Sequence, residues 1–219
     1  ASSTTGDLTL GVVTGGSNTL TLSTGDNVAN SDITASGNIS GVTTLTLADV
    51  GGTATFAGDV DVATLAIGNT VANVAINGNG STITNDIDFA NDGTLQLGDA
   101  TGDTLTFNGG LDTSSVGSTV TLNGTIDTSN DAITFGAVTL GSATTIDTNA
   151  TNTTGDITIG AVTGGSNALT LSMGNNVANT DISASGNISG VTTLTLQNVG
   201  GTATLSGDVD VATVAIGNP

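Results

Sequence analysis

The chain of 219 residues lacks every cationic side chain: it has no Lys, no Arg and no His. It also lacks Cys, Trp, Tyr and Glu, and its 19 acidic residues, all Asp, give it a formal charge of −19. Because phosphate binding depends on Lys and Arg, nucleic acid is excluded as a partner, and anionic membrane surfaces repel the chain. No apolar run approaches the roughly 18 residues that a transmembrane segment needs.

The side chains that favour helices are equally scarce. Glu, Lys and Arg are absent, Gln96 and Gln197 are the only Gln residues, and the single Pro is the last residue. Thr, Gly, Asn and Asp together make up more than half of the chain, and Thr, Val, Ile and Leu supply most of the bulk. Side chains branched at Cβ favour strands, and a nearly Pro-free chain with 36% hydrophobic residues is unlike a disordered one. The composition predicts an all-β fold.

A long internal duplication organises the sequence. Residues 4–69 align without a gap to residues 153–218, at an offset of 149, with 53 of 66 positions identical. The chain is therefore predicted to be one continuous repeat domain, 1–219, with a long unit at 4–152 and an incomplete second unit at 153–219. The simplest interpretation is that the sequence is a window on a longer array.

A shorter pattern, apolar–Thr–apolar, lies inside the long unit and is bounded by Gly, Asn and Asp. Leu8-Thr9-Leu10, Leu45-Thr46-Leu47 and Val120-Thr121-Leu122 are examples. Strict alternation predicts short strands with one apolar face and one Thr face, joined by tight corners. Hairpin-built sandwiches and barrels are an alternative, but short strands, frequent corners and a mostly aliphatic interior favour a parallel β-solenoid. At ~20–30 residues a coil, we expect roughly seven to eleven coils over about 35–55 Å.

The sequences of these repeats also resemble those of known proteins. Residues 33–47 and 182–196 resemble the Gly/Thr/Asn/Asp-rich repeat regions of giant bacterial extracellular β-solenoid proteins, such as filamentous-haemagglutinin-like adhesins and autotransporter passengers. Residues 95–109 and 139–149 are similar to repeats of phage tail fibres, many of which are trimeric. The resemblance covers the whole chain and implies an extended extracellular structural or adhesive element. It transfers no functional residue.

Paired Asp residues are the candidate metal ligands. In a strand, the two acids of an Asp-x-Asp triplet point to the same face, with carboxylates about 6–7 Å apart. Ca²⁺ takes six to eight oxygen ligands, which Asp, Asn and backbone carbonyls supply. The alternative is that these residues are solvated corner residues, because Asp and Asn tolerate left-handed backbone conformations and cap turns. The candidates are Asp59, Asp61, Asp86, Asp88, Asp92, Asp208 and Asp210.

Catalysis is not expected. A Ser or Thr nucleophile needs a base such as His or Lys, and neither occurs. Two Asp could serve a glycosidase, but only four aromatic residues are present to hold a sugar: Phe56, Phe89, Phe107 and Phe135. All four occupy apolar positions of the strand pattern, and Leu205 replaces Phe56 in the second repeat, so we predict that they pack in the core. Columns of Thr could also order water as ice-binding solenoids do, but ordinary solvent-facing strand residues explain them better.

The sequence therefore predicts a non-enzymatic structural protein. We expect a segment or subunit of an extracellular or cell-surface fibre, sheath or surface layer, built by stacking and end-to-end association of coils. The expected partners are further copies of the chain, with divalent cations or surface glycans as additional ligands. The alternative is an adhesin stalk or tail-fibre segment that binds glycans or a host surface.

Overall fold

The computed structural model describes residues 6–25 and 28–217, and within them it contains strands and turns but no helix. Every paired strand runs parallel to its neighbour, as predicted for a solenoid. The first half of the chain forms β1 (Leu8–Leu10), β2 (Val13–Ser23), β3 (Ile33–Ala35), β4 (Ile39–Ala48), β5 (Thr53–Phe56), β6 (Val60–Ile67), β7 (Asn73–Ile76), β8 (Thr82–Ile83), β9 (Ile87–Asp88), β10 (Leu95–Leu97) and β11 (Thr104–Phe107). The second half forms β12 (Leu111–Asp112), β13 (Val120–Asp127), β14 (Ile133–Phe135), β15 (Val138–Ala150), β16 (Ile157–Ile159), β17 (Val162–Thr163), β18 (Leu169–Gly174), β19 (Ile182–Ala184), β20 (Ile188–Gln197), β21 (Ala203–Leu205) and β22 (Val209–Gly217).

The strands stack into three faces around a common axis, and about ten coils are formed. Each face is a ladder of residues one coil apart. The first face runs through Leu8, Ile33, Ala54, Val74, Leu95, Val120, Val138, Val162, Ile188 and Val209. The second runs through Thr14, Ser40, Asp61, Thr82, Thr106, Asp127, Asp147, Ser172, Gln197 and Gly217. The third begins with Leu20, Leu45 and Leu65 and continues through Ile87, Leu111, Ile133, Ile157, Ile182 and Ala203.

Coil length varies along the axis while the ladders stay in register. The step from Val120 to Val138 is 18 residues, whereas the step from Val162 to Ile188 is 26. The extra residues lie in corners and bulges, such as the register shift between Leu122 and Gly124. At about 4.8 Å a coil, the described stack is roughly 48 Å long.

The interior is one continuous apolar column. Alternate residues of each strand point inward, so that Leu95 and Leu97 are fully buried while Gln96 between them faces outward. The four Phe residues are all buried, and Phe89 meets Phe107 edge-on at a centroid distance of 6.3 Å. The prediction that the Phe residues pack in the core is confirmed.

Equivalent strands of the two long repeats lie on different faces of the solenoid. The strands β1, β3 and β5 lie on the first face, but their counterparts 149 residues later, β16, β19 and β21, lie on the third. Likewise β17 joins the first face, although its counterpart at the start of β2 belongs to the second. Six coils separate Leu8 from Val138, and the repeat restarts two faces later, at Ile157. One long repeat therefore makes six and two-thirds coils. As a result, the second repeat is rotated about the solenoid axis by one face relative to the first.

The backbone conformation of the corners is the same in the two repeats, even where the residue differs. Asp49 has φ 53° and its counterpart Asn198 has φ 56°, both in the left-handed region. Asn30 and Asn179 match in the same way, with φ 62° and 64°. Asp and Asn adopt this conformation more readily than other residues with a Cβ atom, which explains why they dominate the corners.

One corner is built from stacked glycines, because the coils approach each other too closely there for a side chain. A Cβ on Gly58 would lie 2.5 Å from the carbonyl carbon of Gly37, and a Cβ on Gly78 would lie 2.4 Å from the Gly58 oxygen. The second repeat keeps the device at Gly207, whose Cβ would lie 2.4 Å from Gly186. These contacts are with backbone, which cannot move without breaking the ladders.

We therefore expect Gly58→Ala to lower the free energy of unfolding by about 1–3 kcal/mol, as overpacking does. Gly102→Ala is the matched control, since a Cβ there meets nothing within 4 Å and its φ is not positive. The control should change stability by no more than about 0.5–1 kcal/mol, in the stabilising direction. Urea unfolding followed by circular dichroism measures both, and equal effects would contradict the close approach.

Candidate functional site

The candidate metal ligands are distributed over corners and outward faces. Asp59 lies in the corner before β6, where its Oδ1 accepts the Gly80 N–H at 2.9 Å and its Oδ2 accepts the Asn38 amide at 3.1 Å. Asp61 lies two residues further on the outward side of β6, in register with Ser40 and Thr82. Partial burial, followed by the charge of Asp59, raises the pKa of Asp61. The charge of Asp59 therefore acts on the Asp61 carboxyl.

The other candidates are exposed. Asp86 and Asp88 flank the buried Ile87, and Asp88 pairs with Asp112 one coil on. Asp92 lies in the next corner, where its N–H donates to the Val71 carbonyl. The remaining two, Asp208 and Asp210, lie on the last coil.

These seven residues do not converge. Within residues 6–25 and 28–217, no three acidic side chains come together in a group that could hold a metal ion. Each triplet supplies two carboxylates at most, and a calcium ion there would need backbone carbonyls and water for its remaining ligands. Calcium binding by these residues stays a prediction.

The structure instead reveals a second role for Asp and Asn, at the residue directly before the first inward residue of a first-face strand. Asp7 Oδ1 accepts the N–H of Asp32 at 3.1 Å, and Asp32 Oδ1 accepts the N–H of Thr53 at 2.7 Å. Two coils above, Asn73 Oδ1 accepts the N–H of Thr94 at 2.8 Å. In each bond a side-chain oxygen accepts a hydrogen bond from a backbone N–H one coil away. The bond lies at the corner where the parallel strands begin to pair.

The second repeat builds the same device on the third face. Asp156 Oδ1 accepts the N–H of Asp181 at 2.8 Å, and Asp181 Oδ1 accepts that of Thr202 at 2.6 Å. Asn187 does the same for Asp208 at a neighbouring corner, at 3.0 Å. We call these bonds the corner ladder. Sequence reasoning missed it, although the signal is present: Asp, Asn or Thr directly precedes Leu8, Ile33, Ala54, Val74 and Leu95.

Asp127 is a partly buried acid on the second face. Its neighbour one coil on is Asp147, and its Oδ1 is buried without a hydrogen-bond partner. Burial, with the charge of Asp147 adding to it, raises the pKa of the Asp127 carboxyl, while hydrogen bonds from Thr106 and Asn149 oppose the shift. The ionised form is thus disfavoured in the folded protein.

The outward faces carry hydroxyl groups in columns. Thr125, Thr145, Thr170 and Thr195 are consecutive rungs of one column. The neighbouring column, two residues along each strand, holds the acids Asp127 and Asp147. A shallow depression lined by Thr139, Thr163 and other small residues contains no titratable side chain.

Comparisons with protein-family models, with curated proteins and with solved structures gave no match. None of the described segments forms a helix with the length and hydropathy needed to span a membrane.

Removing a corner oxygen should cost stability. For Asp32→Ala we expect a loss of about 0.5–1.5 kcal/mol, because the Thr53 N–H loses its protein acceptor. For Asp32→Asn we expect a smaller loss, since the amide oxygen can accept the same bond, as Asn73 does. Urea titrations of the two variants measure the difference. Equal losses would mean that the hydrogen bond contributes nothing.

Asp127 should make stability depend on pH. Because its pKa is raised above 3.8 in the folded state, its stabilising contribution is complete below that value and is lost as pH rises through the raised pKa. Asp127→Asn should therefore be more stable than the unmodified chain at pH 7, and the gap should close towards pH 3. Asp99→Asn removes the same charge from an exposed residue and serves as the control. The hypothesis fails if the two variants show the same pH profile in chemical unfolding.

Proposed function

We propose that the protein is a non-enzymatic structural element, a segment or subunit of an extracellular fibre, sheath or surface layer. The observation that carries this proposal is the stack of parallel coils, in which the buried side chains of one chain form a single apolar core. Such a stack is stiff along its axis, because bending it requires backbone hydrogen bonds on one side to lengthen. Its length is set by the number of coils.

The chemistry of the surface supports the same role. Outward positions carry hydroxyl, amide and carboxylate groups in columns, and the charge of −19 keeps rods apart in solution. The chain also offers no Lys or Arg at which trypsin-like proteases could cleave, which is useful outside a cell. Divalent cations that bridge Asp residues of neighbouring rods are the proposed lateral ligands.

A role as an adhesin stalk or tail-fibre segment is the second candidate. The Thr columns on the outward faces favour it, since arrays of hydroxyl groups offer hydrogen bonds to glycans. A trimeric tail fibre would close its core only with three chains, whereas here the buried side chains of one chain form a single cluster. We therefore prefer the single-chain rod. Glycan-array binding above background would favour the second candidate.

The rod function is tested by lengthening the chain. Insertion of one further copy of residues 4–152 adds six and two-thirds coils, and should extend the rod by about 32 Å at constant diameter. Small-angle X-ray scattering measures the length and the cross-section separately. A thicker particle of unchanged length would contradict a structural role based on coil number.

A further inference from the structure

The sequence contains four Asn-Gly pairs, the dipeptide in which an asparagine side chain most readily loses ammonia. In this reaction the backbone nitrogen of the glycine attacks Cγ of the asparagine, and a residue without a side chain leaves that approach open. The glycine must be free to adjust and the asparagine must be accessible, so the fold decides which pairs can react. The four pairs begin at Asn77, Asn79, Asn108 and Asn123.

Three of the pairs are held by close packing of the glycine against the coil before it. A Cβ on Gly78, Gly109 or Gly124 would lie 2.3–2.4 Å from a backbone atom of that coil. Asn123 is also buried, and its Nδ2 donates to the Gly98 carbonyl at 2.9 Å. Ring closure at these pairs would therefore require the coils to separate first.

The pair Asn79-Gly80 is open. Both residues are exposed, in the turn between β7 and β8. The nearest heavy atoms to a Cβ on Gly80 would be those of the Asp59 carboxyl, at 3.8 Å. These atoms are the end of a side chain and not the backbone of a ladder, so the pair has room to adjust.

Two hydrogen bonds prepare the peptide group between Asn79 and Gly80 for the reaction. The Gly80 N–H donates to Asp59 Oδ1 at 2.9 Å, which is within the reach of a general base. The Asn79 carbonyl accepts the Thr104 N–H at 2.8 Å. This second bond stabilises the negative charge that develops on the peptide group as its nitrogen loses a proton.

We propose that Asn79 is a site of spontaneous deamidation in the folded protein, with Asp59 as the general base. The Asp59 carboxylate takes the proton of the Gly80 N–H, and the Gly80 nitrogen forms a bond to Cγ of Asn79. The bond from Cγ to Nδ2 then breaks, and Nδ2 leaves as ammonia with the proton that Asp59 had taken. Water opens the resulting succinimide ring at either carbonyl, which leaves aspartate or isoaspartate at position 79.

The modification has a structural consequence. Either product adds a carboxylate to a chain that contains no cationic side chain to pair with it. Isoaspartate also inserts a CH₂ group into the backbone of the corner, directly after Gly78, which already lies tightly on Gly58. Because the pairing of β8 with β6 begins just beyond this corner, the modified coil should be less stable than the original one.

Mass spectrometry of the aged protein tests the site. The folded chain is incubated at neutral pH and then cleaved with a protease that cuts before Asp, which gives the fragments 61–85, 103–111 and 112–126. Electron-transfer fragmentation of 61–85 distinguishes Asn77 from Asn79 and aspartate from isoaspartate. A chain kept in urea is the matched reference, because all four pairs are free there.

We expect Asn79 to deamidate in the folded chain at least as fast as it does in urea. The other three pairs should be slower in the folded chain than in urea by about tenfold or more, because they react only when the coils open. Equal rates at all four pairs of the folded chain would overturn the proposal, as would a slower reaction of Asn79 in the folded chain than in urea.

The variant Asp59→Asn separates the base from the hydrogen bond. Its amide oxygen can still accept the Gly80 N–H but cannot take the proton, so the rate at Asn79 in the folded chain should fall by about tenfold or more. The rate in urea should stay the same. Slow reaction of the other three pairs shows that the variant is folded.

The matched control is Asp61→Asn, which removes the same charge from the next outward residue and leaves Asp59 in place. We expect this variant to deamidate at Asn79 as fast as the unmodified chain does. An equal fall in both variants would mean that only the local charge matters, and an unchanged rate in Asp59→Asn would mean that no base acts there. Either result overturns the role of Asp59.

Discussion

The structure depends on one constraint: each coil must keep register with the coil below it on three faces at once. Parallel ladder bonds, the inward apolar column and the corner ladder all connect residues one coil apart. A misplaced strand would shift side chains between the core and the solvent on its whole face. Variation in coil length is therefore confined to corners and bulges, where backbone groups find partners in side-chain oxygens instead of ladder bonds.

This constraint also explains the narrow set of amino acids. Stacked corners need residues that tolerate a left-handed backbone conformation or supply a hydrogen-bond acceptor, and Gly, Asn and Asp meet this need. Asp49 and its counterpart Asn198 show that either the acid or the amide can occupy the same corner. The outward positions need β-forming side chains that remain solvated, which favours Thr. The interior is narrow, so that aliphatic side chains fill it and only four Phe residues are accommodated.

The parallel solenoid, its coil count and the burial of the Phe residues could be predicted from the sequence, because alternation and corner residues are local signals. The number of faces could not, since strand units recur at similar spacing whether two or three form a coil. The rotation of the repeat depends on the summed lengths of coils of 18 to 26 residues, which no single motif encodes. The Asp triplets were recognised as pairs, and Asp59 does act on Asp61. Their failure to form a group of three, and the use of Asp7 and Asp32 as corner acceptors, required the three-dimensional stack.

The turn of one face between the repeats bears on how such a chain grows over generations. Because the three faces are interchangeable, a duplicated gene segment need not encode whole coils; it must only end at a corner equivalent to the one where it began. Three times as many recombination points are then compatible with folding as in a solenoid whose faces differ. After three copies of the segment the original orientation returns, so that a long array displays each motif on all three faces.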